Sequence, residues 1–234
     1  MKIKGILFDK DGTLIEFSTS WVPAIIEAAN YFADNDQAIA QKMLAASGYD
    51  EKTGEVTSGS ILAASNNQQI AECWSQFLAT DVNQDMVDKL DDLFQYHSQH
   101  NSLPAADLDT LFDELKRRDI KLGVATSDSE LGARYTLDAF GLTAKMDFIC
   151  GYDSGNGIKP ESGMVDAFCH QMQLHPSEVM VVGDNTHDLH MARNANAKLA
   201  IGVLTGTSTA VKLYEADYIL NHVGDIPELL DNIS

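Results

Sequence analysis

Two aspartates lie one residue apart in the segment 6–13, Ile-Leu-Phe-Asp-Lys-Asp-Gly-Thr, directly after an apolar run that is typical of a strand. Because successive side chains of a strand alternate, Asp9 and Asp11 are expected to face the same site. Two carboxylates this close raise each other's pKa unless a cation or a reaction uses both of them. The pair therefore suits metal binding, or nucleophilic and acid–base chemistry. An acidic turn without chemistry is the alternative, because Asp-Gly is a common turn sequence.

Polar side chains also follow three later apolar runs of strand character. They are Thr126 and Ser127 after the run 120–125, Lys159 in the loop after 148–150, and Asp184 and Asp188 after 179–182. Ligands bind outside the carboxyl ends of the strands in open α/β sheets, so we expect these side chains to meet in one cleft. Acids from separate strands can hold a hard cation, and a lysine and a hydroxyl group can hold a phosphoryl group. An aspartate there could act as a nucleophile, because carboxylates form aspartyl-phosphate intermediates.

Each of these residues also has a purely structural explanation. Threonine is a common strand residue, so Thr126 could simply end a strand. Lys159 could lie in a solvated turn before a helix that starts with proline, and Asp184 could cap a helix. We favour a site because polar residues of complementary type occur at consecutive strand ends.

The elements that must position these residues are indicated by the apolar periodicity. Residues 104–234 alternate helical and strand patterns, as crossover units of a mostly parallel sheet do. The strand-like runs are apolar throughout, as expected of strands that helices cover on both faces. We predict an α/β fold with a doubly wound, mostly parallel sheet.

The block 17–98 has a different pattern. Its helical periodicities, none of which is followed by a strand-like run, are 21–32, 38–46, 70–78 and 86–97. We predict an all-helical cap subdomain of residues 17–98, inserted after the first strand of a core made of residues 1–16 and 99–234. The stretch 53–67, which is rich in Gly, Ser and Asn, is predicted to be a flexible loop of this cap.

Composition limits the classes of partner and compartment. The formal net charge of −19 argues against nucleic acid and anionic membranes, which attract basic patches. A small anionic substrate stays compatible with this charge, because a metal ion can reverse the potential inside a cleft.

The three cysteines, Cys73, Cys150 and Cys169, lack metal-ligand spacing and are predicted to be reduced thiols. The first apolar run is too short for a signal peptide, so we expect a cytoplasmic protein, either a monomer or a homodimer.

At these positions the chain resembles the haloacid dehalogenase-like hydrolases. The segment 9–13, Asp-Lys-Asp-Gly-Thr, is similar to the first motif of that family, and Thr126 ends a strand as in the second. Lys159-Pro160 resembles the third motif and 183–188, Gly-Asp-Asn-Thr-His-Asp, the fourth. The motifs occur in the family's order, and the helical block between them corresponds to a cap. One departure, Asn196-Ala197 where relatives often have Ala-Gly, concerns the packing of a turn.

The resemblance implies a magnesium-dependent phosphatase that works through an aspartyl-phosphate intermediate. Asp9 would attack the phosphorus, and Asp11 would protonate the leaving oxygen and then deprotonate the hydrolytic water. Thr126 and the backbone N–H of Ser127 would bind phosphoryl oxygens. The aspartate at position 11, which dehalogenating relatives lack, favours phosphate chemistry over carbon–halogen cleavage.

The remaining motif residues would manage charge. By the same resemblance, Lys159 neutralises negative charge on the nucleophile and on the phosphoryl group. Asp184 would ligate Mg²⁺ together with Asp9 and the backbone carbonyl of Asp11, while Asp188 orients the site or joins the ligands. Such an assembly works by positioning and electrostatics, as phosphoryl transfer requires.

The substrate is less well defined by the sequence. The first motif and the size of the cap resemble phosphoglycolate phosphatases most, with a β-phosphoglucomutase-like sugar phosphate mutase as the alternative. No cap pattern indicates the sugar sensing that a mutase needs. The cap also has few cations, namely Lys42, Lys52 and Lys89, so a second strongly anionic group would find few partners there. We therefore expect activity on small neutral or weakly charged phosphate esters, including sugar phosphates.

Two non-enzymatic readings are weaker. Receiver domains of signalling proteins also use an acid pair, a strand-end Thr or Ser and a Lys. They are shorter, place the phosphorylated aspartate on a later strand and have no helical insertion. A binding module derived from an enzyme is the other reading, but the motif positions retain every residue that the chemistry needs.

Three further residues lie close to the motifs in the sequence. Asp128 is predicted to cap a helix in preference to contacting substrate. His187 is expected to face solvent, because helical phase points it away from the face of Asp188. Trp21 is expected to be a core residue, and it is also the cap residue that we consider best placed to reach the mouth of the site.

Overall fold

The computed structural model describes residues 2–78 and 82–233. Positions 1, 79–81 and 234, which the predicted core and cap ranges include, lie outside the described residues. The strands are β1 (Gly5–Phe8), β2 (Tyr49–Asp50), β3 (Glu55–Val56), β4 (Lys121–Ala125), β5 (Phe148–Cys150), β6 (Val179–Gly183), β7 (Leu199–Val203) and β8 (Tyr218–Leu220). The main sheet has the order β5-β4-β1-β6-β7-β8, and all of its pairings are parallel. The predicted α/β fold is confirmed.

Ten α-helices accompany the strands in the described part of the chain. They are α1 (Phe17–Phe32), α2 (Gln37–Ser47), α3 (Ile61–Ala64), α4 (Asn67–Ser75), α5 (Gln84–Asn101), α6 (Leu108–Arg117), α7 (Glu130–Ala139), α8 (Gly163–Met172), α9 (Thr186–Asn194) and α10 (Ile226–Ile233). None of these helices combines the length and the apolar character that crossing a lipid bilayer requires.

The central strand β1 sets the position of the site. Phe8 pairs with Val124 of β4 on one side and with Val182 of β6 on the other. Because the three strands are parallel and in register, the residues that follow them emerge at one edge of the sheet, Asp9 and Thr126 among them. The backbone N–H of Asp9 continues the ladder by donating to the Val182 carbonyl oxygen at 2.8 Å.

Helices cover both faces of this sheet. Alternation along β1 sends Phe8 to one face, where its ring lies 5.7 Å from that of Phe112 in α6. It sends Leu7 to the other face, into the buried cluster that contains Phe168 of α8. All four side chains are fully buried, and each contributes about 1.5–3 kcal/mol of transfer free energy. This two-sided burial explains why the strands are apolar throughout.

The helices α1 to α5 form a second buried cluster of their own. Met43, Leu90, Phe94 and Trp74 lie in it, and the indole N–H of Trp74 donates to the Ser47 hydroxyl at 3.0 Å. A separate apolar core agrees with the predicted cap. The division at residues 17–98 stays a prediction, and α5 continues through its last position to Asn101.

The two connections between the helical block and the sheet run side by side. Glu16 N–H donates to the Leu103 carbonyl oxygen at 2.9 Å, and Ala105 N–H donates to the Leu14 carbonyl oxygen at 2.9 Å. This pairing ties the entry and the exit of the block together at the edge of the sheet that carries Asp9.

One stretch of the block differs from the expectation of a flexible loop. Within 53–67 the structure has strand β3, which pairs with β2 in a short antiparallel hairpin, and the single-turn helix α3. Two-residue strands are too short to give a periodic signal, so the sequence did not indicate the hairpin. The three cysteines are free and buried, as predicted.

Candidate active site

The polar residues predicted from the sequence line one cavity, which lies between the carboxyl edge of the sheet and the helical block. The predicted residues among its lining are Asp9, Asp11, Thr126, Ser127, Lys159, Asp184 and Asp188. The cavity has a volume of about 70 Å³. Since a water molecule needs roughly 10–15 Å³, there is room for a few waters or one small group.

Lys159 joins two acids of this cavity. Its Nζ lies 2.5 Å from Oδ1 of Asp9 and 2.6 Å from Oδ1 of Asp188, and all three side chains are buried. Burial raises the pKa of Asp9 to about 6, with Lys159 lowering it and Asp188 raising it. Burial alone would lower the pKa of Lys159, but Asp188 and Asp9 outweigh it and the pKa is raised. Lys159 therefore stays positively charged beside the Asp9 carboxylate.

The start of helix α9 positions the acids of the fourth motif. The Asn185 side chain caps the helix by accepting from His187 N–H, and Oδ2 of Asp188 accepts from Asn185 N–H at 3.1 Å. This capping box fixes Asp188 while its other oxygen binds Lys159. Asp184 precedes the helix, and burial raises its pKa well above the usual range, with Asp9 and Asp188 adding to the effect.

A loop after β7 closes over Asp184. The backbone N–H of Thr207 donates to Oδ2 of Asp184 at 2.9 Å, and the Thr205 hydroxyl donates to the Gly12 carbonyl oxygen at 2.7 Å. A Cβ atom at Gly206 would lie 1.9 Å from Oδ2 of Asp184, so only glycine fits this position. Sequence reasoning missed this loop, because 205–208 (Thr-Gly-Thr-Ser) is indistinguishable from an ordinary turn.

Three carboxylates form the group best suited to a metal ion. One oxygen each of Asp9, Asp184 and Asp188 lies within 4.8 Å of the other two. Hard cations such as Mg²⁺ prefer oxygen ligands, and the positive charge of Lys159 balances only part of three ionised acids. The residues present therefore fit a divalent cation. The Asp11 side chain lies outside this group, and the predicted ligand role of its backbone carbonyl stays a prediction.

The end of β4 supplies the predicted phosphoryl-binding residues. The Thr126 hydroxyl oxygen accepts from the backbone N–H of Asp128 at 3.1 Å, which shapes the turn into α7. The Ser127 hydroxyl donates to the Ala64 carbonyl oxygen at 3.4 Å, so Ser127 joins the sheet edge to the helical block. Their contacts with a phosphoryl group stay a prediction.

Asp11 faces the helical block. Its Oδ1 accepts from Nε1 of Trp21 at 2.5 Å and from Nζ of Lys10 at 2.9 Å. Burial raises the pKa of Asp11 to about 6, with Lys10 lowering it and Asp128 and Asp9 raising it. The Trp21 ring also packs edge-on against Phe94 in the block's core. Trp21 is thus both a core residue and a direct contact of the site.

Two residues near the motifs differ from expectation. Asp128 does not cap α7, because Ser129 accepts from Gly132 N–H in that role, and Asp128 instead pairs with Lys10 at 2.9 Å. His187 does not face open solvent. It lines the cavity, its Nδ1 lies 3.4 Å from the Ala64 carbonyl oxygen, and burial lowers its pKa. The helical block packs over both residues. The periodicity of one helix does not predict contacts with a block from another part of the chain.

The side of the cavity formed by the helical block is largely apolar. Its lining residues are Phe17, Trp21, Ile25, Leu62, Ala63, Ala64, Ser65, Asn67, Ile70 and Phe94. Among the described residues of this block, no Lys, Arg or His lines the cavity. A group that enters from this side meets hydrocarbon, one amide and few other polar atoms.

Comparisons with known proteins assign the chain to a family. The family model described as haloacid dehalogenase-like hydrolase matches residues 6–202. The protein named pyrophosphatase PpaX from Bacillus mycoides (strain KBAB4) is 23% identical and covers all of both chains. PpaX from Oceanobacillus iheyensis is 25% identical over 97% of this chain and 96% of the relative.

Solved structures share the fold along almost the whole chain. A protein from Haemophilus somnus 129PT, predicted to be a phosphoglycolate phosphatase, superposes with a TM-score of 0.70 at 19% identity and covers 98% of both chains. CbbY from Rhodobacter sphaeroides, solved in complex with phosphate, has a TM-score of 0.68 at 20% identity and covers 96% of both. At these identities the likeness concerns the fold alone.

Proposed function

The chain belongs to the haloacid dehalogenase-like hydrolase family, and from that premise we propose that it is a phosphatase that acts on small phosphate monoesters through a phosphorylated Asp9. The observation that carries the proposal is the buried carboxylate of Asp9. It lies at the end of the central strand, bound to Lys159 through Oδ1, beside Asp184 and Asp188. Its Oδ2 accepts no hydrogen bond from Lys159 and is the oxygen that we assign to the attack on phosphorus.

The reaction has two halves. In the first, the Asp9 oxygen forms a bond to phosphorus while the ester P–O bond breaks, and Asp11 gives its proton to the leaving oxygen. In the second, water attacks the same phosphorus, Asp11 takes the proton of that water, and the bond between phosphorus and Asp9 breaks. The pKa of Asp11, raised to about 6 by burial, suits a group that must both give and accept a proton near neutral pH.

Charge is managed by groups around Asp9. Lys159 offsets the negative charge of the nucleophile and of the phosphoryl oxygens that approach it. We assign the binding of Mg²⁺ to the carboxylates of Asp9 and Asp184, with Asp188 adjacent. By family resemblance, the backbone carbonyl of Asp11 is a further ligand. Bound Mg²⁺ would neutralise charge on the phosphoryl group. Thr126 and the Ser127 N–H would hold the remaining phosphoryl oxygens.

The leaving group is proposed to be small and without strong negative charge. The cavity is about 70 Å³, and its cap side presents apolar side chains and the amide of Asn67. A carboxylate or a second phosphate placed there would lose its hydration without gaining a cation, which is costly. Simple neutral esters and small sugar phosphates avoid this loss.

Pyrophosphate is the second candidate substrate, because the PpaX relatives, which match the whole chain, are named pyrophosphatases. The apolar cap side of the cavity argues against it.

A sugar phosphate mutase is the alternative reaction that the shared fold suggests, since a protein from Thermotoga maritima proposed to be a β-phosphoglucomutase has a TM-score of 0.70 at 16% identity. No described residue of the cap side is a charged partner for a sugar phosphate that returns to the site.

A substrate panel tests the proposal. Phosphate release with Mg²⁺ is measured for p-nitrophenyl phosphate, glycerol phosphates, sugar phosphates, phosphoglycolate and pyrophosphate, with Asp9→Asn as the control for contaminating phosphatases. We expect turnover of the neutral esters and sugar phosphates above that of phosphoglycolate and pyrophosphate. Strong selectivity for phosphoglycolate or pyrophosphate, which carry a second anionic group beside the phosphoryl group that is transferred, would refute the assignment of the leaving group. Sugar-phosphate interconversion with little phosphate release would establish the mutase instead.

A further inference from the structure

Lys10, the residue between the two aspartates of the first motif, is fully buried. Lysines are almost never fully buried unless the ammonium group is paired. Its Nζ lies 2.9 Å from each carboxylate oxygen of Asp11 and 2.9 Å from Oδ2 of Asp128. The ring centre of Trp21 lies 5.0 Å from the same nitrogen, within the range of a cation–π contact.

Stability alone does not account for this arrangement. Buried ion pairs stabilise folds little compared with apolar residues of similar volume, because the charges lose their hydration. The pair does have a geometric consequence. Asp128 is fixed at the start of α7, where its Oδ1 accepts from Ser129 N–H at 2.7 Å, and Lys10 connects this fixed acid to both oxygens of Asp11.

Asp11 is thereby held from two directions. Lys10 binds it from the core, and Trp21 of helix α1 donates to its Oδ1 from the helical block. Catalytic proton transfer is sensitive to such placement, since a displacement of about 1 Å can cost on the order of 100-fold in rate. The first half-reaction needs Asp11 at the leaving oxygen, and the second needs it at the attacking water.

We propose that Lys10, anchored by Asp128, is a positioning residue that holds the Asp11 carboxyl group where it exchanges protons with the reacting oxygens. The inference rests on the proposed function, because it concerns the proton transfers assigned to Asp11. In the first transfer the proton moves from Asp11 to the ester oxygen as the P–O bond breaks. In the second it moves from water to Asp11 as the new P–O bond forms.

Lys10→Met tests the proposal, because it removes the ammonium group at similar side-chain volume. The two substrates are p-nitrophenyl phosphate, whose leaving group departs without a proton, and glycerol 3-phosphate, whose alkoxide needs one. With the nitrophenyl ester the variant should give a rapid burst of nitrophenolate, about one per active site, followed by slow turnover. With the glycerol ester it should give no burst and a kcat lowered by on the order of 100-fold.

The double variant Lys10→Met with Asp128→Asn separates placement from folding. It also removes the Asp128 charge that Lys10→Met leaves unpaired beside Asp11, so its melting temperature should recover towards that of the wild type while the kinetic pattern of the single variant persists. Lys116→Met is the matched control. Lys116 pairs with Asp147 at 2.7 Å outside the cavity, so its kinetics with both esters should equal those of the wild type.

The outcomes distinguish failure of the proposed function from failure of the inference about Lys10. A wild-type protein that releases phosphate from no ester refutes the proposed function. If the wild type is active, the inference about Lys10 is overturned by wild-type kcat for glycerol 3-phosphate in the single variant. It is equally overturned if the double variant recovers the wild-type kcat for glycerol 3-phosphate. An equal loss of kcat with both esters, without a burst of nitrophenolate, would also overturn it, because a purely structural role of Lys10 would give that result.

Discussion

Replacement of Lys159 by Met removes the ammonium group that pairs with Asp9 and Asp188 at 2.5 and 2.6 Å. Breaking a buried ion pair from one side typically costs about 3–5 kcal/mol, because the remaining charges stay buried without a partner. In a chain of this size a loss of 1 kcal/mol lowers the melting temperature by roughly 2–4 °C, so the expected fall is roughly 6–20 °C. The variant should show this loss at pH 8 in metal-free buffer.

The loss should depend on pH in a stated direction. Burial already raises the pKa of Asp9 from the usual 3.8 to about 6 with Lys159 in place, and removal of Lys159 raises it further. A group whose pKa is higher in the folded than in the unfolded state contributes to stability, and this contribution is complete at pH values below the unfolded-state pKa. The contribution is lost as the pH rises through the folded-state pKa. The deficit of Lys159→Met should therefore be larger at pH 8 than at pH 5.

Thermal or urea unfolding of both proteins at the two pH values measures the effect. The matched control is Lys116→Met, whose partner Asp147 is also an aspartate but whose side chains are partly exposed, 35% for Lys116 and 21% for Asp147. The control should lose about 0–1 kcal/mol. A Lys159→Met deficit below 1 kcal/mol at pH 8, or one that is equal at pH 5 and pH 8, would contradict the electrostatic account of the site.

Three further predictions follow from the same geometry. Gly206→Ala should lower kcat by at least about tenfold, since its Cβ would lie 1.9 Å from Oδ2 of Asp184, and wild-type kinetics would show that the loop yields freely. Millimolar Mg²⁺ should raise the melting temperature of the wild type but not of Asp184→Asn, and an equal rise in both would place the ion elsewhere. Asp91 of helix α5 accepts from the side-chain amide of Asn67 at 2.6 Å, and burial raises its pKa to about 6 with Asn67 lowering it, so the charged carboxylate lowers stability above pH 6. Asp91→Asn should be more stable than the wild type at pH 8 by no more than about 1 kcal/mol, given its partial exposure, and the gain should shrink at pH 5. A gain that grows as the pH falls would reverse the sign of this argument.

The sheet edge and its polar residues could be predicted from the sequence for a simple reason. Strands that are apolar throughout and end abruptly at polar residues define both the parallel sheet and the edge where those residues meet. Asp9, Thr126 and Asp184 follow strands that are adjacent in the sheet, so strand ends alone bring them into one cavity. The position of Lys159 in the loop after β5 also predicted it in the cavity, whereas its charge-neutralising role beside Asp9 came from the family resemblance.

The missed features depend on contacts between distant segments. The burial of Lys10 requires Asp128 and Trp21 to close around it, and these residues come from different elements. A helix cap and an ion pair both favour an aspartate, so the residue type of Asp128 did not distinguish them. The hairpin of β2 and β3 has only two residues in each strand, and its pairing is set by the packing of the helical block.

Trapping of a phosphorylated Asp9 tests the central claim most directly. The Asp11→Asn variant is mixed with p-nitrophenyl phosphate and Mg²⁺ and quenched in acid, and the peptide that contains Asp9 is analysed by mass spectrometry. Because this variant lacks the group that activates water, the intermediate should accumulate. We predict one phosphoryl group on Asp9, none in Asp9→Asn, and loss of turnover in Asp9→Asn. Phosphate release by the wild type together with no phosphoryl group on Asp9 in the quenched Asp11→Asn variant, or near-wild-type turnover by Asp9→Asn, would contradict the mechanism.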